Sequence, residues 1–591
     1  MTQANPSGLG ATIPTSVSDR QGFNKRWYAN DDSLQIFRPT SGAEVADAFS
    51  AILQDETISP GQFQITCGRH CYEGFVYNAN TRAIIDMTGL KAYGEATVDG
   101  KRTVYVDVGM GNWDMYRLLN NVYQKTLPAG SCYSVGLGGH ITGGGYGVLS
   151  RLYGLSIDYL TAVDIVVGDR ASGARTIEKC SANHHSDLFW AVRGGGGGQF
   201  GIITRYYFAL DTLPDSPTYI YIYTLGLSWR QEMNPLLRGW NWLRSTQAPL
   251  ITESQFSGIL NCFQDIWTDQ TESSWKTFGI FHANHKDAGN LSLSSITVYS
   301  PSLHDKQADF ESELLKQYRK RQQEAAQIVP PYTADFALKG HPYVPSVKSL
   351  ELNADNFRCY TYLEGMQQLN GSGPNRYGKY KSAYHTKKLT PAMISAAYNG
   401  LTQTVVDSKN QIVDMQSSLI QLDAYGGKIN KVPPDATAVP QRSSILKLQY
   451  QSYWDTSLLP GQDNPVLEAA HVNWLNQMYQ DIYQDSGGVP KGDGTEGCYY
   501  NYPDINIGST EPGTPPWNRP STSTFWETCP GSSKYLQSIT LRAGSKVPSR
   551  LAMLPHQILS LRGLATYYPS SPDRKRAIPT TSKARLNVIL M

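Results

Sequence analysis

A chain of 591 residues is too long to fold around one ordinary hydrophobic core, so two or more lobes are expected. Its 40% hydrophobic and 17% charged residues suit a soluble globular protein, and no apolar run approaches the length that spans a bilayer. Residues 531–591 hold ten Lys or Arg against one Asp, so the rest of a chain of net charge +2 is mildly acidic, which argues against a nucleic-acid-binding protein.

The cysteines and the N-terminal sequence argue against further classes. Eight cysteines occur without paired CxxC spacing, so no metal site is expected. The first residues, MTQANPSGLGATIPTSVSDR, lack the charged-then-apolar layout of a secretory signal. The expectation is a soluble protein without a membrane segment, whose compartment the sequence leaves unknown.

Composition and pattern divide the chain into five segments. Residues 1–20 are expected to be a disordered leader, and residues 21–213 a glycine-rich lobe of short strands and helices. Residues 214–497 are expected to form a second lobe of strands and amphipathic helices. Residues 498–530 begin with the aromatic, strand-like CYYNYPDINIG, and residues 531–591 form an atypical basic tail without strand or helix rhythm.

In chain order, RTVYVDVGMGNWDMYRLL predicts a strand, a turn and a helix start, and IDYLTAVDIVVGD predicts a strand. HDKQADFESELLKQYRKRQQEAAQIV predicts an amphipathic helix. SSLIQLDAYGG and SILKLQYQSYW predict two further strands. The fold class expected from these elements is α+β.

RGGGGGQFG places Gly196, Gly198 and Gly201 at the spacing of a dinucleotide-binding fingerprint. That fingerprint requires a strand before the glycines and a helix after them. Here GIITRYYFAL follows, and its β-branched and aromatic residues predict a strand. A Rossmann fold is therefore not expected, and we interpret the glycines as loops that let backbone N–H groups approach a pyrophosphate.

Two other glycine-rich turns contain residues that could carry chemistry. ITCGRHCYEGF places His70 between two cysteines, and PAGSCYSVGLGGHITGGGYG places Cys132 shortly before seven glycines. On these residues alone, a buried structural cysteine and a surface or core histidine are the better interpretations. A similarity that extends over much more of the sequence favours a chemical role for both residues instead.

The His70 segment, the Cys132 segment and DLFWAVRGGGGGQFGIIT resemble, in order and style, the berberine-bridge-enzyme-like oxidases of the vanillyl-alcohol-oxidase superfamily. QGFNKRW, GSCYSVGLGGH, NGSGPNRYGKYKSAY, DATAVPQR, LKLQYQSYW and GCYYNYPD resemble the hexose oxidases, the carbohydrate-oxidising branch of that family. The similarity spans about residues 20–510. It implies a two-part FAD-binding domain of the PCMH type, from residues 21–213 and 498–530, and a substrate domain, 214–497, with an antiparallel sheet covered by helices.

The resemblance implies that FAD is held by two covalent bonds, from His70 to the flavin 8-alpha methyl group and from Cys132 to flavin C6. The sequence differs from the family pattern at Arg69, where the wider family usually has Gly. Because Arg tolerates a positive φ poorly, the backbone conformation of this turn is in question. The residues expected to bind the cofactor are His70, Cys132, Gly68, Gly136, Gly138, Gly139, His140, Gly143, Gly144, Gly145, Gly198, Gly201 and Ile202.

The resemblance also implies that Tyr502, in YYNYPD, is the catalytic base. Gln421 and Asp423 lie two apart on a predicted strand, so both point to one face, and they resemble a pair that contacts sugar and assists the tyrosine in related oxidases. An anionic carboxylate opposes formation of a phenolate, so a relay in which Asp423 takes the proton in concert is expected. From the residues alone, a core role for Tyr502 and a turn-capping role for Asp423 stay open.

Further substrate contacts are expected on the neighbouring strand. Lys447, Gln449 and Gln451 share one face of LKLQYQSYW, and Tyr72 is expected to stack on the sugar. The wider family often has a catalytic Glu at the position that aligns with Lys447, and its absence here argues against alkaloid-type chemistry. In the resembling family, a small residue at the position of Val135 leaves a channel for oxygen to the flavin.

These expectations combine into one function, the oxidation of the C1 hydroxyl of a hexose or oligosaccharide to a lactone, with O2 reduced to hydrogen peroxide. A sugar and molecular oxygen are the expected partners, without nucleic acid or membrane. Two alternatives stay open: a tailoring oxidase of an alkaloid or glycosylated antibiotic, and a catalytically silent flavoprotein. The family's usual DPxNxF ending is not found, so residues 531–591 are expected not to follow the family fold.

Overall fold

The computed structural model describes residues 11–12, 16–59, 61–230, 249–301, 306–329, 357–455 and 464–507. The predicted basic tail, 531–591, lies outside these ranges, as does most of the predicted fourth segment, 498–530. The described residues combine helices with parallel and antiparallel sheets, which confirms the predicted α+β class. None of the described helices is both long and apolar enough to cross a membrane.

The first lobe is built from short strands, helices and glycine-rich turns. Its strands are β1 (Gln35–Phe37), β2 (Phe63–Thr66), β3 (Ala83–Asp86), β4 (Tyr93–Val98), β5 (Lys101–Asp107), β6 (Leu160–Asp169), β7 (Gly173–Ser181) and β8 (Ile202–Ala209). Its helices are α1 (Val17–Arg20), α2 (Gly42–Gln54), α3 (Asn112–Tyr123), α4 (Leu137–Thr142), α5 (Ser150–Tyr153) and α6 (Ser186–Val192). The strand–turn–helix and the strand predicted in this lobe are confirmed as β5 with α3 and as β6.

These strands form two sheets. The described part of one is a parallel sheet of order β1-β3-β2, and that of the other is an antiparallel sheet of order β4-β5-β8-β6-β7. Helix α2 packs against both sheets and shares their buried apolar core. Because the glycine run lies between α6 and β8, a helix precedes it and a strand follows it, which is the reverse of a Rossmann arrangement.

The second lobe is a helix-covered sheet. Its strands are β9 (Tyr219–Ser228), β10 (Thr277–Asn284), β11 (Asn290–Tyr299), β12 (Phe357–Thr361), β13 (Tyr377–His385), β14 (Ser418–Ala424) and β15 (Leu446–Trp454). Its helices are α7 (Glu253–Thr268), α8 (Glu272–Trp275), α9 (Gln307–Ile328), α10 (Tyr362–Gln368), α11 (Pro391–Thr402) and α12 (Pro465–Ile482). The described strands are antiparallel, in the order β12-β9-β11-β10-β14-β15-β13.

Residues alternate between the two faces of this sheet. Leu422 and Leu448 share an apolar core with Trp474 and Leu475 of α12, whereas Gln421 and Asp423 point to the opposite face. The register pairs Gln421 with Gln449 and Asp423 with Lys447. The sheet therefore presents a row of polar side chains toward the first lobe.

Two predictions about local structure are wrong. Residues 1–20 were expected to be disordered, but in their described part Val17–Arg20 form a helical turn, and Thr12 pairs with Ile36 of β1. Residues 498–507 were expected to be strand-like, but they form turns. Their aromatic side chains, which suggested a strand, pack into the site described next.

Candidate active site

A cavity of about 630 Å³ lies where the first lobe faces the polar row of the second-lobe sheet. Both lobes contribute to its lining. The predicted site residues that line it are His70, Cys132, Gly68, Gly136, Gly138, Gly139, His140, Gly198, Ile202, Tyr72, Val135, Gln421, Asp423, Lys447, Gln449, Gln451 and Tyr502.

His70 lies in the turn that follows β2. Its Nε2 is 2.8 Å from Ser134 Oγ, and Phe23 stacks on its ring with centroids 5.0 Å apart. Burial lowers the pKa of His70 to about 4, so the imidazole is neutral near pH 7. The ring is thus held in place by one nitrogen, which leaves Nδ1 for a second bond.

Arg69, immediately before His70, does adopt the positive φ that the sequence comparison suggested, at 61°. Its guanidinium binds Asp86 at 2.5 Å and donates to the carbonyl of Ser18. These contacts offset a backbone cost of roughly 1–2 kcal/mol for a left-handed residue other than glycine. An arginine is therefore compatible with the turn that presents His70.

Cys132 lies between α3 and α4, in a turn that packs against the His70 turn. Asn112 Nδ2, at the start of α3, donates to the Cys132 carbonyl at 3.2 Å. A Cβ atom on Gly68 would lie 2.2 Å from the backbone nitrogen of Gly136, so the two turns approach more closely than any side chain allows. This backbone contact brings the turns of His70 and Cys132 to the same part of the cavity.

A loop of the second lobe clamps the Cys132 turn. Asn370 Oδ1 accepts from the backbone N–H of Tyr133 at 3.1 Å, and Ser372 Oγ accepts from that of Ser134, also at 3.1 Å. The Ser372 and Ser134 hydroxyls are 3.0 Å apart, so the hydrogen-bond chain continues to His70. The orientation of His70 thus depends on both lobes.

The glycines of the cavity fall into two groups. A Cβ on Gly139 would meet nothing within 4 Å, and one on Gly198, whose φ is 77°, would meet Ile65 at 3.5 Å, so both leave their backbone uncovered in the lining. Four of the predicted cofactor glycines are absent from the lining, namely Gly143, Gly144, Gly145 and Gly201.

Those four glycines are needed for packing instead. A Cβ on Gly143 would lie 2.3 Å from the Asn501 side chain, and one on Gly145 would lie 2.3 Å from Ser156 Oγ. Gly144 and Gly201 have positive φ values of 123° and 141°. Sequence composition does not separate the two uses of glycine, because both need backbone without a side chain.

His140 lines the cavity, but its ring has a structural partner. Its Nε2 accepts from the backbone N–H of Gly130 at 2.8 Å. Burial, aided by the charge of Lys447, lowers the pKa of His140 to about 4, so it stays neutral. The ring joins the segment before Cys132 to helix α4.

An amide wall, made of Gln421, Gln449 and Gln451, covers the sheet side of the cavity. Gln421 Nε2 donates to Asp423 Oδ1 at 2.7 Å, while its Oε1 faces His282 Nε2 at 3.1 Å and Gln451 Nε2 at 3.2 Å. Because Oε1 can only accept, His282 must donate from Nε2. The predicted sharing of one face is confirmed, and the amide orientation of Gln421 is fixed by its neighbours.

Asp423 and Lys447 form a buried pair at the end of this wall, with 3.6 Å between Oδ2 and Nζ. Burial raises the pKa of Asp423 despite the nearby ammonium. Burial also lowers the pKa of Lys447 despite the carboxylate. Each charged form is therefore less favoured than in water, which suits a pair that exchanges a proton.

Tyr502 lies next to this pair. Lys447 Nζ is 4.3 Å from the centroid of the Tyr502 ring, an arrangement in which the ammonium faces the π-electrons. Asn501 Nδ2 fixes the segment by donating to the carbonyls of Gly139 and His140 at 3.1 and 3.2 Å. The predicted base is thus tied to the same helix whose glycines face the cavity.

Tyr72 contacts other tyrosines rather than open space. Its ring stacks on Tyr380 with centroids 3.7 Å apart and on Tyr502 with centroids 5.1 Å apart. Its hydroxyl accepts from Gln449 Nε2 at 3.2 Å. The described contacts place the Tyr72 ring between Tyr380 and Tyr502, and its stacking on a sugar stays a prediction.

Residues 34–170 match a protein-family model described as an FAD binding domain. Hexose oxidase from Chondrus crispus is 35% identical to this chain over 523 residues, which cover 85% of this chain and 87% of that protein. The chain belongs to the hexose oxidase family. This family lies within the berberine-bridge-enzyme-like flavoproteins, as the sequence motifs predicted, and its members are FAD-dependent oxidoreductases.

This hexose oxidase family member is also similar to an aclacinomycin oxidase and to a glycopeptide hexose oxidase. Aclacinomycin-N/aclacinomycin-A oxidase from Streptomyces galilaeus is 28% identical over 505 residues, covering 82% of this chain and 79% of that protein. The crystal structure of a glycopeptide hexose oxidase complexed with teicoplanin has a TM-score of 0.68 and 26% identity, over 90% of this chain and 95% of that chain. The predicted PCMH-type fold is confirmed by these similarities.

The cavity of this family member fits FAD. Gly139 and Gly198 leave backbone open toward it, and the buried side chain of Ile202 adds an apolar contact beside them. His70 and Cys132 line it in two turns that touch each other. Bound FAD supplies the hydride acceptor, and the protein supplies orientation and electrostatics.

Sequence analysis missed a buried ionic network beneath the tyrosines. Lys379 Nζ binds Glu73, the neighbour of Tyr72, and lies 2.7 Å from Asp504 Oδ1, two residues after Tyr502. Lys381 Nζ binds the other oxygen of Asp504 at 2.5 Å. The sequence YGKYKSAY contains a sign of this network, because two lysines occupy alternate positions of one strand. In the structure, every residue of that strand is buried.

Proposed function

We propose that this protein is a carbohydrate oxidase that converts the C1 hydroxyl of a hexose or oligosaccharide to a lactone and reduces O2 to hydrogen peroxide. The sugar gives up a hydride from C1 and a proton from its hydroxyl, and O2 takes two electrons and two protons. The observation that carries the proposal is the composition of one cavity. It places His70 and Cys132 together with an amide wall and the Tyr502–Lys447–Asp423 group.

The amide wall supports a hydroxyl-rich substrate. Gln449 and Gln451 are nearly buried, and amides both donate and accept hydrogen bonds, as a sugar ring requires. Tyr502 is the proposed base for the C1 hydroxyl. The Lys447 ammonium stabilises negative charge that develops on the phenol as the proton moves. Asp423, with its raised pKa, receives that proton through its contact with Lys447.

Val135 is the proposed gate for oxygen. It lines the cavity immediately after the Ser134 contact with His70, and its carbonyl accepts from the backbone N–H of Asn112 at 3.1 Å. A small side chain at this fixed position leaves room for a diatomic molecule. This supports oxygen, rather than a larger acceptor, as the oxidant.

His70 and Cys132 are the proposed covalent attachment sites of FAD. We expect the denatured protein to keep its flavin absorption, since two covalent bonds survive unfolding. His70→Ala and Cys132→Ala should each keep one bond, and the double variant should lose the colour on denaturation. The measurement is absorption of acid-precipitated protein together with its intact mass. Yellow colour that passes entirely into the supernatant of the wild type would exclude both bonds.

The substrate proposal is tested by peroxide release from a panel of neutral sugars that includes glucose, galactose, lactose and cellobiose. We expect at least one reducing sugar to yield peroxide and a lactone in equal amounts. The same assay with sugars reduced at C1 to alditols is the matched control, because these lack the anomeric hydroxyl. Peroxide from no sugar would contradict the proposal.

A second candidate is a tailoring oxidase that acts on a glycosylated antibiotic. The similarity to aclacinomycin oxidase and to the glycopeptide hexose oxidase favours it. This candidate would be supported if a glycosylated polyketide or a glycopeptide were oxidised while free sugars released no peroxide. If neither sugars nor such glycosides reduce the flavin, the remaining alternative is a catalytically silent flavoprotein.

A further inference from the structure

The charged side chains that line the described part of the cavity form ion pairs, with one exception. Arg69 binds Asp86, Lys447 binds Asp423, and Asp504 binds two lysines. His70 and His140 are neutral near pH 7, since burial lowers both pKa values to about 4. Among the described residues of the lining, Arg376 is the cation that forms no ion pair with a carboxylate. Its positive charge is therefore uncompensated within this part of the structure.

Arg376 is held in a defined place at the start of β13. Its backbone N–H donates to the Phe23 carbonyl at 3.0 Å, and its own carbonyl accepts from Lys25 N–H at 2.8 Å. Its guanidinium carbon lies 5.8 Å from the centroid of the Tyr453 ring, which also lines the cavity. The backbone of Arg376 is thus held by residues of the first lobe, and its guanidinium lies beside Tyr453.

The guanidinium lies on the substrate side of the cavity. Tyr453 donates from its hydroxyl to Gln451 Oε1 at 2.6 Å, so it continues the amide wall. Phe23, whose carbonyl accepts from the backbone N–H of Arg376, stacks on His70. A guanidinium beside the amide wall is well placed for a group on the substrate.

The distance along the wall indicates more than one sugar unit. Lys447 and Tyr453 lie six residues apart on the same strand, which corresponds to roughly 20 Å between backbone positions. This exceeds the length of one pyranose ring. A substrate that reaches from Tyr502 to Arg376 would therefore need a second unit beyond the reducing-end hexose.

We propose that Arg376 binds a carboxylate on the second unit of an acidic oligosaccharide, so that the substrate class includes uronic-acid-containing disaccharides oxidised at their reducing end. This inference rests on the proposed carbohydrate oxidation and narrows its substrate. A planar guanidinium binds a carboxylate through two parallel hydrogen bonds, which a neutral hydroxymethyl group does not reproduce. Because the contact is remote from C1, it acts on binding more than on the chemical step.

The test compares cellobiose with its uronic acid counterpart, glucuronosyl-(1→4)-glucose, which differs at one carbon. We expect kcat/KM of the holoenzyme to be on the order of tenfold higher for the acid, mostly through KM, as for one charge-assisted hydrogen bond. Arg376→Gln should abolish this preference, and Arg376→Lys should retain part of it. Added salt should reduce the preference of the wild type. Lys387→Gln, which removes an exposed charge, is the matched control and should leave the ratio unchanged.

Equal kcat/KM values for the two disaccharides, or a preference that survives Arg376→Gln, would overturn the inference while leaving carbohydrate oxidation intact. If no sugar yields peroxide, the proposed function fails, and equilibrium binding of the same pair by calorimetry still decides the inference. Tighter binding of the acid that depends on Arg376 supports it. Failure of the acid to bind more tightly than cellobiose overturns it.

Discussion

Replacing Tyr502 with phenylalanine is expected to lower the rate of flavin reduction by about two to four orders of magnitude, the usual contribution of a positioned general base. The phenyl ring keeps the stacking on Tyr72 and the contact with Lys447, and only the hydroxyl is lost. KM should change little, because the amide wall is untouched. The measurement is the anaerobic bleaching of the flavin by sugar in a stopped-flow instrument.

The matched control for this variant is Tyr223→Phe. Tyr223 lies on β9 of the same sheet, and its buried hydroxyl has no hydrogen-bond partner within the described structure. Its removal should leave the reduction rate unchanged. A Tyr502→Phe variant that bleaches at nearly the wild-type rate would show that the hydroxyl is not the base, whatever its position.

The sequence predicted the parts of the site that follow from strand periodicity. Gln421 and Asp423, and likewise Lys447, Gln449 and Gln451, had to share faces because side chains alternate along a strand, whatever the tertiary fold. The pairing of these two strands was not predictable from periodicity. Only the register, in which Gln421 faces Gln449, places both sets in one wall.

Other features depend on contacts between residues far apart in the chain. The turns formed by residues 498–507 could not be predicted from the local sequence, because their aromatic side chains suggested a strand. In the structure, Asn501 packs against Gly143 and Tyr500 packs against Gly196. The stacking of Tyr72 on Tyr380 could not be predicted for the same reason, since Tyr380 lies more than three hundred residues away. The family resemblance pointed to these residues, and only the tertiary structure shows which other residues each of them contacts.

The buried network also depends on distant residues, and it links the two tyrosines of the site. Glu73 follows Tyr72, Asp504 follows Tyr502 by two positions, and both carboxylates bind the ammonium of Lys379. One cation therefore fixes two segments whose rings stack on each other. Removing the Lys379 ammonium should therefore affect both the stability of the protein and the geometry of the site.

Lys379→Met is expected to lower the free energy of unfolding by about 3–5 kcal/mol, the range for a buried ion pair that loses one partner. The variant leaves Glu73 and one oxygen of Asp504 buried without their shared ammonium. Chemical denaturation, followed by tryptophan fluorescence, measures the change. Lys387→Met is the matched control, because the Lys387–Asp493 pair has side chains 64% and 87% exposed, and such pairs contribute about 1 kcal/mol or less.

The pH dependence of this destabilisation distinguishes lost charge pairing from lost packing. Burial alone would raise the pKa of Asp504, but the ammonium groups of Lys379 and Lys381 outweigh it and hold that pKa well below its ordinary value of 3.8. A depressed folded-state pKa stabilises the protein above 3.8 and loses that contribution as the pH falls below it. The difference between wild type and Lys379→Met should therefore narrow as the pH falls from 6 toward 3. A difference that stays constant over this range would assign the effect to packing of the lysine side chain, and the network would not be what fixes Tyr72 and Tyr502.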